Sequence, residues 1–112
     1  MNDINMTNII TLIWIHWFAD FILQSDVVAK GKSDSYRLLA WHGVVYMFPF
    51  VIAFGWPFAV VSGILHICVD SITSLLTAYI YPRSRHWFFV MIGLDQAIHI
   101  TLLLIVFATY FT

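Results

Sequence analysis

The sequence predicts an all-α integral membrane protein, a single four-helix bundle spanning residues 1–112. Three observations carry this. First, 62% of the 112 residues are hydrophobic and only 10% are charged, which is more apolar surface than a water-soluble domain of this size could bury. Second, the apolar residues fall into four runs, at residues 8–24, 38–54, 57–81 and 87–111. Each is close to the roughly 20 residues that a helix needs to cross a bilayer. Third, four segments in an open sheet would leave unpaired edge groups in lipid, so helices are the form these runs must take.

The first run reads as a spanning helix and not as a secretion signal. No Lys or Arg precedes it, it contains His16 and Asp20, and no small-residue cleavage site follows. The second run holds Pro49, where a kink is expected. Gly55-Trp56-Pro57 forms a tight turn, with Pro57 suited to the first turn of the third helix. Pro82 ends that helix. The one cysteine, Cys68, excludes an intrachain disulfide and reads as packing within an apolar run. Ile13-Trp14-Ile15-His16 leading to Asp20 is echoed by Gly63-Ile64-Leu65-His66 leading to Asp70, which suggests two parallel two-helix repeats.

The basic residues set the topology. Lys30, Lys32 and Arg37 lie between the first and second helices, and Arg83 and Arg85 between the third and fourth. The positive-inside rule places both loops in the cytoplasm and both termini outside, with the five cations against anionic lipid headgroups. Tyr79, Tyr81 and Trp87 then form an inner aromatic belt, and Trp56 and Tyr110 an outer one. A net charge of −1 argues against nucleic acid as a partner and leaves membrane lipids.

Ionisable residues recur within these apolar runs. His16 and Asp20 are four apart, with Gln24 four further on; His66 and Asp70 repeat the spacing; Asp95 and His99 carry it in reverse. Residues four apart share one helix face. An Asp at the centre of a spanning helix costs about 2.5–3.5 kcal/mol on the insertion scale, so these groups must be paired, protonated or bound to something. Helix direction alternates, so the reversed order keeps each Asp on the cytoplasmic side of its His. Imidazole with carboxylate is the ligand chemistry of zinc, manganese or iron. His16, Asp20, His66, Asp70, Asp95 and His99 are therefore the candidate metal ligands. Gln24, His42 and Gln96 are expected to support them by hydrogen bonding. If the site is catalytic, Asp20 or Asp95 is the candidate general base. The plainer alternative is that each His–Asp pair only clamps helices together. His86, beside Arg83 and Arg85, reads as a solvated loop residue.

The stretch His16-Trp17-Phe18-Ala19-Asp20-Phe21-Ile22-Leu23-Gln24, then a basic loop and Leu39-Ala40-Trp41-His42, carries a family resemblance. It continues through Leu65-His66 to Asp70 and through Leu94-Asp95-Gln96-Ala97-Ile98-His99. Over nearly its whole length the chain resembles a family of small bacterial and phage membrane proteins, domain-of-unknown-function family 3307. That resemblance implies a bacterial inner-membrane location and weight on the His/Asp/Gln set, but no particular activity. Three functions follow as expectations: metal-dependent hydrolysis of a lipid-linked or headgroup substrate, proton or cation transport by a homodimer, and a phage or host interaction protein whose polar cluster only fixes packing. No nucleophile elbow, phosphate-cradling glycine loop or cysteine cluster is present.

Overall fold

A computed structural model describes residues 5–111, and the described residues form helices and no strands. Helix α1 spans Met6–Trp17 and continues into a π-helical turn over Phe18–Ile22. A short α2, Asp26–Gly31, is followed by α3 (Tyr36–Phe54), α4 (Trp56–Ile80) and α5 (Arg85–Phe111). Local sequence accounts for the boundaries. Asn5, Ser25, Ser35 and Ser84 each accept a hydrogen bond from the backbone N–H three residues on, satisfying donors that a helix start leaves unpaired. Gly55 sits at φ 92° between α3 and α4, a conformation that a side chain would strain. Pro57 follows it in the first turn of α4.

Three of the four expected spans, α3, α4 and α5, are long and apolar enough to cross a membrane. The first is shorter, 17 residues over Met6–Ile22, and rises roughly 26 Å at 1.5 Å per residue. Two details differ from expectation: the basic connection folds into α2, and α3 and α5 each begin two residues before their apolar runs. Pro49 lies inside helix α3.

The helices alternate in direction. The Phe54 ring lies 5.2 Å from Phe107 and 6.2 Å from Phe111, so the α3–α4 turn sits beside the end of α5. At the opposite end Lys30 and Lys32 share one cavity with Tyr81 and Phe88, which brings both basic connections to the same end. The molecule is 48 Å in its longest dimension. Helix α3 packs closely on α4 where two glycines meet: a Cβ on Gly43 would collide with Ile67, and one on Gly63 with Met47. Small residues at such crossings let backbones approach without a hydrophobic drive between helices.

The interior has two halves. Toward the α3–α4 turn it is aromatic and aliphatic, with Leu12, Phe50, Phe58, Leu103 and Phe107 buried. Toward the basic end it is polar, with His16, Asp20, His42, His66, Asp70 and His99 all buried. The outer surface is apolar, with Trp14, Phe48, Ile52, Ile72 and Phe89 exposed. Cys68 is exposed too and does not pack inside as expected.

Candidate metal centre

The polar half is assembled from four elements. The π-helical turn contributes Asp20, α3 contributes His42, α4 contributes His66 and Asp70, and α5 contributes Asp95 and His99. On α4 and α5 the spacing of four on a regular helix places each His and Asp on one face. At Asp20 the helix widens. The Leu23 N–H bonds the Phe18 carbonyl five residues back at 3.0 Å, and the extra residue in the turn accompanies a buried Asp20. Such π-turns occur often at functional sites.

Four ligand atoms converge at one point: one oxygen each of Asp20 and Asp70, and one nitrogen each of His42 and His66. His42 Nε2 is 3.0 Å from Asp20 Oδ1, 3.3 Å from Asp70 Oδ2 and 2.9 Å from His66 Nε2. His66 Nε2 is 3.3 Å from Asp20 Oδ1 and 3.4 Å from Asp70 Oδ2. Ligands held at about 2.0–2.1 Å around a tetrahedral ion lie about 3.3 Å apart, so these separations suit such an ion. Hydrogen bonding alone accounts for them poorly. Each Nε2 faces three neighbours and carries at most one proton. The Nδ1 atoms of both rings are buried without a partner among the described residues. Between the two Nε2 atoms, 2.9 Å apart, only one proton can sit.

Asp70 also faces a second group. Its Oδ1 lies 3.0 Å from His99 Nε2, which is 3.1 Å from Asp95 Oδ1. Thr73 donates to Asp95 Oδ1, and Gln96 Nε2 donates to Asp95 Oδ2 at 3.2 Å. Lys32 Nζ donates to Asp70 Oδ2 at 3.1 Å. A cavity of about 640 Å³ reaches Asp70 and Asp95 from the basic end, past Lys30 and Lys32.

His16 stands apart from the four-atom centre. Gln96 Nε2 donates to Asp20 Oδ2 at 3.1 Å as well as to Asp95, which fixes the amide orientation. Gln96 Oε1 must then accept from His16 Nε2, 2.7 Å away. In the neutral ring Nδ1 is left as an acceptor for the Tyr46 hydroxyl at 2.8 Å. Both nitrogens of His16 are engaged. Its separation of 3.7 Å from Asp20 Oδ2 is too long for a hydrogen bond.

The arrangement therefore brings together Asp20, His66, Asp70, Asp95 and His99 from the expected ligand set and places His16 behind them. It exchanges His16 with His42, which the sequence put in a supporting place. Gln96 bonds to Asp20, Asp95 and His16, whereas Gln24 Oε1 is buried without a hydrogen-bond partner among the described residues. Lys32 turns inward to Asp70, while Lys30, Arg37, Arg83 and Arg85 are exposed. Arg83 lies over the Tyr79 ring at 3.8 Å. Sequence reasoning did not single out Thr73. The one signal for Tyr46 was its spacing of four from His42; its ring stacks on His66 with centroids 3.8 Å apart.

The chain is thus an all-helical protein with three helices fit to cross a membrane and a buried His/Asp cluster positioned to hold a metal ion. It belongs to the family described as "Protein of unknown function (DUF3307)", which matches residues 9–112. This is the family that the motifs resemble. No curated protein and no solved structure matches it.

Proposed function

We propose that this protein is an integral membrane metalloprotein whose buried His/Asp cluster, with Asp20, His42, His66 and Asp70 binding a divalent ion, serves hydrolysis of a lipid-linked or headgroup substrate. The observation that carries this reading is the convergence of those four ligand atoms inside an apolar bundle. Charge supports it. Asp20, Asp70 and Asp95 bring three carboxylates to the cluster, and Lys32 pairs with Asp70. Two negative charges are left when the histidines are neutral, and one divalent cation balances them. A divalent ion held by these residues would supply Lewis-acid chemistry toward a substrate oxygen.

The chain's own groups do the rest. Gln96 fixes Asp20 and Asp95. Of the two carboxylates expected to act as general base, Asp95 lines the cavity, whereas Asp20 stands back among the four converging ligands. Lys30 and Lys32 present positive charge along the approach. The proposal includes four spanning segments in a bacterial inner membrane, both basic loops in the cytoplasm and the termini outside. Zinc, manganese and iron all fit the donor set.

Proton or cation transport by a dimer is less well supported. Among the described residues the hydrogen-bonded network runs from Asp95 through Gln96 and His16 to Tyr46, and Phe50, Phe58 and Phe107 fill the interior toward the α3–α4 turn. The test is elemental mass spectrometry of detergent-purified protein. At least one equivalent of zinc, manganese or iron is expected, and none in a His66→Ala, Asp70→Ala double variant. Wild-type protein that holds no ion after loading with zinc or manganese overturns the proposal.

A further inference from the structure

We infer that Asp70, Asp95 and His99 hold a second divalent ion, and that this ion, not the first, is the one presented to substrate. The inference rests on the proposed metal centre and assigns a division of labour within it. These three side chains offer ligand atoms close enough for one ion, with separations of 3.0 and 3.1 Å at His99 Nε2. Asp70 directs Oδ2 to the first group and Oδ1 to the second, as a carboxylate does when it bridges two ions.

The two groups differ in a way that matters for chemistry. The first has four protein donors, all from buried residues, and its Asp20, His42 and His66 stand back from the large cavity. The second has three protein donors, and its Asp70 and Asp95 form part of the cavity wall. Closed four-ligand sites are structural as a rule, and three-ligand sites with an open position are catalytic. Asp95 is also held as a ligand should be. Thr73 donates to one of its oxygens and Gln96 to the other, the outer support that orients metal-binding carboxylates. The general-base position expected for Asp95 thus becomes a ligand position facing substrate. Two ions would leave an excess of positive charge at the inner end of a cavity whose approach carries Lys30 and Lys32, a setting for an anionic ester.

The test uses the full-length protein in detergent, loaded with Mn²⁺ and freed of excess by dialysis. Ions are counted by elemental mass spectrometry, and electron paramagnetic resonance reports their coupling. Carboxylate-bridged ions sit about 3.5–4 Å apart, so two bound Mn²⁺ ions should give an exchange-coupled spectrum. Two ions per wild-type chain with that spectrum are expected. Asp95→Asn should retain one ion with an isolated six-line signal and an unchanged helical circular dichroism spectrum. One uncoupled ion in the wild type overturns this inference and leaves the first centre standing. No ion in the wild type overturns both. The wild-type count is decisive by itself, so a variant that fails to fold does not rescue the idea.

Discussion

At the scale of single residues, the roles of the two histidines nearest Asp20 are set by what else each ring touches. His16 spends one nitrogen on Gln96 and the other on Tyr46, whereas His42 points Nε2 at two carboxylates and a second imidazole. The metal count should therefore fall by one ion in His42→Ala and stay at the wild-type value in His16→Ala, as read by elemental mass spectrometry of the two purified variants. The full wild-type count in both would remove His42 from the ligand set. Gln96 touches Asp20, Asp95 and His16 at once. Loss of such outer support typically weakens metal affinity about 10–100-fold, so Gln96→Leu should shift the zinc-binding isotherm by that much. Neither rank order can be read from spacing. His16 and His66 stand in the same register to Asp20 and Asp70 in the sequence, yet only His66 joins the centre.

At the scale of elements, the difference lies in the helix that carries the motif. Helix α4 is regular through His66 and Asp70, whereas the first segment passes into a π-turn between His16 and Asp20. The sequence repeat is therefore not a repeat of geometry. A second element-level device is the close crossing of α3 and α4 at Gly43 and Gly63, each one residue from or three before a histidine of the centre. Added bulk at Gly43 meets the Ile67 side chain and at Gly63 the Met47 side chain, which must repack between the helices that hold His42 and His66. Overpacking a tight interior costs typically about 1–3 kcal/mol. Gly43→Val should lower stability by that amount in a denaturant titration in detergent and reduce metal occupancy with it. A variant as stable and as metal-loaded as the wild type would show that the crossing tolerates side chains.

At the scale of the whole molecule, polarity is distributed along the long axis. The aromatic half of the interior lies toward the α3–α4 turn, and the His/Asp half toward the end that carries Lys30 and Lys32. In the proposed orientation, with the basic loops cytoplasmic, the cavity would open to the inner leaflet. In a Cys68→Ser background, a membrane-impermeant maleimide should label Trp56→Cys in intact spheroplasts and Ser84→Cys only after permeabilisation. The reverse pattern would invert the topology and place the cavity at the outer leaflet. The all-helical fold, the α3–α4 turn and three of the long apolar helices were legible from composition, Gly55, Pro57 and the apolar runs. So was the 17-residue length of the first segment, over Met6–Ile22 where the run spans 8–24; the folding of the basic connection into α2 was not, because it depends on how the chain travels to meet α3.

The sequence by itself specified helices, their alternation, the grouping of basic residues at one end and the family, because apolar run length, turn residues and local charge act within a few residues along the chain. It also named most of the side chains that gather inside, since an apolar helix leaves Asp and His no comfortable place but one another. Tertiary structure chose which of them meet. That choice rests on the rotation of each helix about its axis and on the distance between axes, which the π-turn before Asp20 and the glycines at the α3–α4 crossing set, and which no spacing within one helix can encode.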